Sequence, residues 1–181
     1  MGIFGFLFPR KQPEKVDHEG KIYSQAYGDV VERAFYFGSN MKTAFGEQIS
    51  KALDRTEPVS PMYLVLMNVA VVRDALGKAR QALADEVRRK VSTQYGPKID
   101  ELGIAPHVDE LIHKVLEEKL TRVWEEISEI FRRNEAAIEA ADQRWRADNP
   151  EQAENQPLGP TDEGLQAVAN LVKSRAARPT T

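Results

Sequence analysis

The sequence predicts an all-α fold: a helical bundle built on a long antiparallel, coiled-coil-like hairpin, with two short helices before it and a tethered helix after it. Three observations predict this. Apolar residues recur at three- and four-residue steps through most of the chain, the spacing of one helix face. The interval between Pro106 and Pro150 holds neither glycine nor proline. The composition, 29% charged and 41% hydrophobic, is rich in the helix formers Ala, Glu, Leu, Lys and Arg. At 181 residues the chain has the length of one domain with tails. The expected order is an apolar segment and linker over 1–18, a bundle over 19–147, a flexible linker over 148–160, and a weak helix and tail over 161–181.

The first helical pattern runs through Tyr23, Tyr27, Val30, Val31, Ala34 and Phe35. Gly38 is expected to close that helix and Ser39 to cap a second one, which carries Met41, Phe45, Ile49, Ala52 and Leu53 on its face. Thr56 to Pro61 reads as a boundary, with Ser60 as N-cap and Pro61 at the first helical position, where a missing N–H costs nothing.

The first arm of the hairpin is expected over 61–95. Its start, Met62 to Val72, is apolar nearly all round, and the stripe then narrows to Leu76, Ala79, Leu83, Val87 and Val91. That narrowing predicts one end packed inside a bundle and the other leaving it. Tyr95-Gly96-Pro97 supplies a stop, because proline cannot continue the hydrogen-bond ladder. The second arm is expected over 106–147, with Ile112, Leu116, Leu120, Val123, Ile127, Phe131, Ile138, Ala141 and Trp145 as its stripe. About 40 residues at 1.5 Å each give a helix of roughly 60 Å, long enough for coiled-coil packing. Past Asp148 the sequence turns to Pro, Asn, Gln and Glu, and a last apolar face follows at Leu165, Val168, Ala169, Leu171 and Val172.

Composition also narrows the function classes. The net charge of -3 gives no global attraction to nucleic acid or anionic lipid. The absence of cysteine excludes disulfides, thiolate metal sites and cysteine nucleophiles, and fits a cytoplasmic protein. No stretch reaches the roughly 18 apolar residues of a membrane span. The apolar start, Met1 to Phe8, lacks the basic flank and small-residue site of a signal peptide, and Phe6 stands where a myristoylation signal needs Ser or Thr.

Glu110-Leu-Ile-His113 has the E-x-x-H spacing of carboxylate-bridged metal sites, but such sites need a second copy and two more glutamates. A histidine near a helix start is the simpler reading, and no metal or cofactor is expected. No G-x-S-x-G elbow, P-loop or dinucleotide-binding glycine motif occurs, and nearly all carboxylates are placed on solvent faces, so the chain is read as non-enzymatic.

Two features remain as interaction sites. Ile3, Phe4, Phe6, Leu7 and Phe8 form an apolar cluster able to dock into a partner or a membrane interface beside Arg10 and Lys11, or to fold back over the Met62–Val72 region. Arg88, Arg89 and Lys90 form a basic patch that could follow phosphates, although Asp85, Glu86 and the acidic second arm can neutralise it and the interleaved aromatics of a single-strand binder are missing. The expected function is a helical interaction protein: an adaptor, assembly factor or structural subunit of a larger bacterial or phage complex. Such a protein binds a protein partner or a second copy. The alternative is a nucleic-acid-associated accessory subunit acting through the basic patch.

Overall fold

The computed structural model describes residues 17–54 and 59–155, and these residues are all-α, with no strand among them. Three long helices, α1 (His18–Leu53), α2 (Pro61–Leu102) and α3 (Ala105–Asp148), are followed by a short α4 (Pro150–Asn155). Each long helix packs on the other two. Arg33 pairs with Glu86 and Asp29 with Lys90, so α1 and α2 run in opposite directions. Arg80 pairs with Glu117 and Arg88 with Asp109, so α3 reverses direction again.

The expected pair of short helices is a single helix. Gly38 does not close it: it is buried inside α1, and a Cβ there would stand 2.4 Å from Val123 Cγ2. Glycine costs about 1 kcal/mol against alanine in a helix interior. Here the close approach of α1 to α3 requires it. The stripes on either side are in phase, since Ala26, Val30, Ala34, Gly38, Phe45 and Ile49 are all buried. Tyr27 and Phe35, placed on the inner face by their spacing, point outward instead.

The second helix also runs past its expected stop at Tyr95. Pro97 lies inside α2, which continues to Leu102. The loss of one N–H is offset by burial of the last turn, where Ile99 packs in the core. Gly103, at φ +65°, is the true terminator. Its N–H donates to the Asp100 carbonyl at 3.2 Å and the Ile104 N–H donates to the Ile99 carbonyl at 3.3 Å, while Ile99 and Ile104 pack together in the core. This is the Schellman arrangement, and it leaves only two residues between α2 and α3. The segment after Asp148, read as linker, is helical again over α4.

The core has two adjoining parts. One, near the α2–α3 turn, gathers Ile22, Ala26, Val30, Val87, Val91, Ile112 and Leu116. The other gathers Phe45, Ile49, Val65, Val69, Val72, Ile127, Phe131 and Ile138. Because α1 spans both, neither end of the α2–α3 pair leaves the bundle, contrary to the expectation from the narrowing stripe. In the Met62–Val72 run, Val65, Leu66, Val69 and Val72 are buried, while Met67 and Val71 are exposed.

Candidate interaction surface

With the core closed on three sides, the large apolar side chains left in solvent identify the surface of interest. On α1, Tyr27 is 48% exposed, Phe35 64% and Tyr36 60%. Tyr27, Val31 and Phe35 recur every four residues and so follow one ridge. Val31 lies half-buried between them and touches the core. Phe35 and Tyr36 meet edge to face with ring centroids 5.8 Å apart, the geometry preferred by aromatic quadrupoles. Met67 and Val71 form a smaller exposed pair on α2. The sequence carried a signal for the α1 ridge: Ile22 and Ala26 complete a better inner stripe than Tyr23 and Tyr27 do.

The basic patch is largely engaged within the bundle. Arg88 Nη1 lies 2.5 Å from Asp85, its Nε donates to Asp109 at 2.7 Å, and its Nη2 also donates to Asp109. The hydrogen bond to Asp109 outweighs burial and holds the guanidinium above its ordinary pKa. Lys90 lies 2.6 Å from Asp29. Arg89 is exposed. His113 of the E-x-x-H motif has its Nε2 3.4 Å from Arg88 and 3.8 Å from Asp109, while Glu110 lines an open groove with Glu19, Tyr23 and His107. Among the described residues no group of three or more His, Asp or Glu side chains is placed to hold a metal ion.

Two carboxylates are exceptions to the solvent placement expected of nearly all of them. Asp29 is buried on α1, and Asp142 is buried on α3 beside the start of α2. The Ser60 hydroxyl accepts from the Tyr63 N–H at 3.2 Å as N-cap and donates to Asp142. Asp142 also accepts from the Met62 N–H at 3.3 Å and from Arg146 Nε at 2.6 Å. Burial pushes the Asp142 carboxyl up, but the Ser60 hydroxyl, Arg146 and the Met62 N–H together hold it below the usual carboxylate value. These are structural joints between helices.

A half-open cavity of about 320 Å³ lies between α2 and α3 near the turn, walled by Val91, Ile99, Val108 and Ile112. The polar groups at its mouth, Arg88 and Asp109, are already bonded to each other. Ile3, Phe4, Phe6, Leu7 and Phe8, and the expected helix over 161–181, lie outside the described residues. No described helix is long and apolar enough to cross a membrane. The sequence matches no protein-family model, and neither a curated protein nor a solved structure matches it.

Proposed function

We propose that this chain is a non-enzymatic helical interaction protein, an adaptor, assembly factor or structural subunit of a larger complex. Its scaffold is the long antiparallel α2–α3 hairpin, and the outer face of α1 is its contact surface. One observation carries the reading: three large aromatic side chains, Tyr27, Phe35 and Tyr36, stand in solvent on a bundle whose core is already filled. Aromatic residues presented on a rigid helix are the anchors that dominate protein interfaces, because they bury much area with little loss of side-chain freedom.

Light scattering across a range of protein concentrations, with the Phe35→Ser/Tyr36→Ser variant alongside, tests this. Self-association that the variant abolishes supports contact through α1. An assembly of unchanged mass in the variant sinks the reading. If both proteins are monomers, the same pair is compared in a pull-down from the native cell, and partners retained equally by both sink it.

The basic-patch reading is not favoured, because Arg88 and Lys90 are held by Asp85, Asp109 and Asp29.

A further inference from the structure

The outer face of α1 differs in chemistry from that of α2. Its exposed positions between Glu32 and Glu47 are Phe35, Tyr36, Asn40, Thr43 and Ala44, with no charge among them. Arg33 and Lys42 stand on the flanks, held by Glu86 of α2 and Glu126 of α3. On α2 the exposed positions from Arg73 to Lys90 are mostly charged. Asparagine, threonine and glycine are poor helix formers, and at solvent positions propensity is the main selector of residue type. Water alone therefore does not account for the α1 face.

Phe35 and Tyr36 stand at its middle. The exposed parts of these two residues come to about 250 Å² per copy, so two copies meeting there would bury roughly 500 Å². Stable interfaces bury about 1,200 Å² or more. A lasting contact therefore has to run along the helix, and small residues on both sides of the rings allow close approach. Gly28 lies on one side, with open space where a Cβ would stand, and Thr43 on the other.

The charges give the direction of the second helix. Lys21 and Glu47 are exposed, and neither is ion-paired among the described residues. They flank the ring pair, about 22 Å before it and about 17 Å after it. A parallel copy would set Lys21 against Lys21 and Glu47 against Glu47. An antiparallel copy with the rings on a two-fold axis brings Lys21 of each chain to within about 5 Å, along the helix, of Glu47 of the other. The same axis sets Phe35 opposite Tyr36 and Gly28 opposite Thr43, since the members of each pair are equally distant from it.

Resting on the reading of α1 as the contact surface, we propose that its partner is a second copy of this chain. The two α1 helices pack antiparallel about a two-fold axis between Phe35 and Tyr36. Such a contact uses the same face on both chains and closes at the dimer. Four aromatic rings form its centre, and two Lys21–Glu47 pairs form its rim.

Charge exchange in the full chain, followed by sedimentation equilibrium, tests this. Lys21→Glu and Glu47→Lys are each expected to weaken the dimer about three- to tenfold, and the double variant to return it close to wild type. Within one chain these residues are about 39 Å apart, so restoration reports contact between chains. A double variant weaker than either single change overturns the proposal, as does a wild-type chain that stays monomeric at every concentration reached. Cross-linking gives an independent measurement, because the chain has no cysteine. Gly28→Cys and Thr43→Cys proteins, mixed and mildly oxidised, are expected to form the 28–43 disulfide, and neither alone to link. Links between like residues, or no link, overturn the proposal. If dimers vanish in Phe35→Ser/Tyr36→Ser but ignore the charge exchange and give no 28–43 link, α1 remains the contact surface and the antiparallel pairing is lost. A dimer indifferent to the aromatic variant removes both readings.

Discussion

Asp142 and Asp29 are both buried acids that join two helices, yet they are held very differently. Asp142 accepts from the Ser60 hydroxyl, the Met62 N–H and Arg146, so its charge is surrounded by donors. Asp29 uses one oxygen for both Lys90, at 2.6 Å, and Gln25, at 3.0 Å. Its Oδ2 is buried without a hydrogen-bond partner among the described residues. A carboxylate leaving water loses strong solvation, and only a full set of donors restores it. The α2–α3 joint is therefore a source of stability, while the α1–α2 joint acts mainly by fixing how the helices align.

The largest expected effect breaks the first joint. Asp142→Leu removes the buried acceptor shared by the Ser60 hydroxyl, the Met62 N–H and Arg146, and is expected to lower stability by about 3 kcal/mol in urea unfolding. Next comes the contact between the two core clusters. Gly38→Ala drives a Cβ into Val123 and is expected to cost about 1–2 kcal/mol, after the better helix propensity of alanine is counted. Adding Val123→Ala to Gly38→Ala should cost less than the two single changes together, as a double-mutant cycle would show.

The pH dependence sharpens the comparison further. The Asp142 pKa is depressed in the folded state, so its contribution is fully present above the unfolded value of about 3.9 and disappears as pH falls through the folded value. Unfolding curves from pH 6 down to pH 2.5 should show wild type losing more stability than Asp142→Asn over the acid end. The smallest effect belongs to the other acid. Replacing both partners, Asp29→Leu/Lys90→Leu, is expected to leave stability within about 1 kcal/mol of wild type. A loss as large as that of Asp142→Leu would erase the distinction drawn here.

The all-α class and the α3 stripe were legible because period and interruption agree: Ile112, Leu116, Val123, Ile127, Phe131, Ile138 and Trp145 are all buried. The Ser60–Pro61 start was legible for the same reason, since a cap is a local property. Errors arose where tertiary contact overrides local preference. Gly38 reads as a stop in isolation, and only the Val123 side chain across the bundle explains it within a helix. Pro97 likewise reads as a stop, yet the buried Ile99 keeps the helix going to Gly103. Neutralisation of the basic patch by Asp85 and by the acidic second arm was legible, but the pairings of Arg88 with Asp109 and of Lys90 with Asp29 join residues distant in sequence and follow only from the fold. The exposed ridge was misread because Tyr27 and Phe35 fit the helical period nearly as well as Ile22 and Ala26, and aromatic residues are ordinarily assigned inward.

The two-residue turn at Gly103-Ile104 has a kinetic consequence. Closing so short a connection costs little chain entropy, and α2 and α3 can zip outward from it one turn at a time. Contacts between α1 and α3 join residues about 85 apart, as at Gly38 with Val123 and Lys42 with Glu126. That seam carries the longest loops in the bundle. Folding that starts at the turn is therefore expected to pair α2 with α3 before α1, the helix bearing the aromatic ridge, docks along α3.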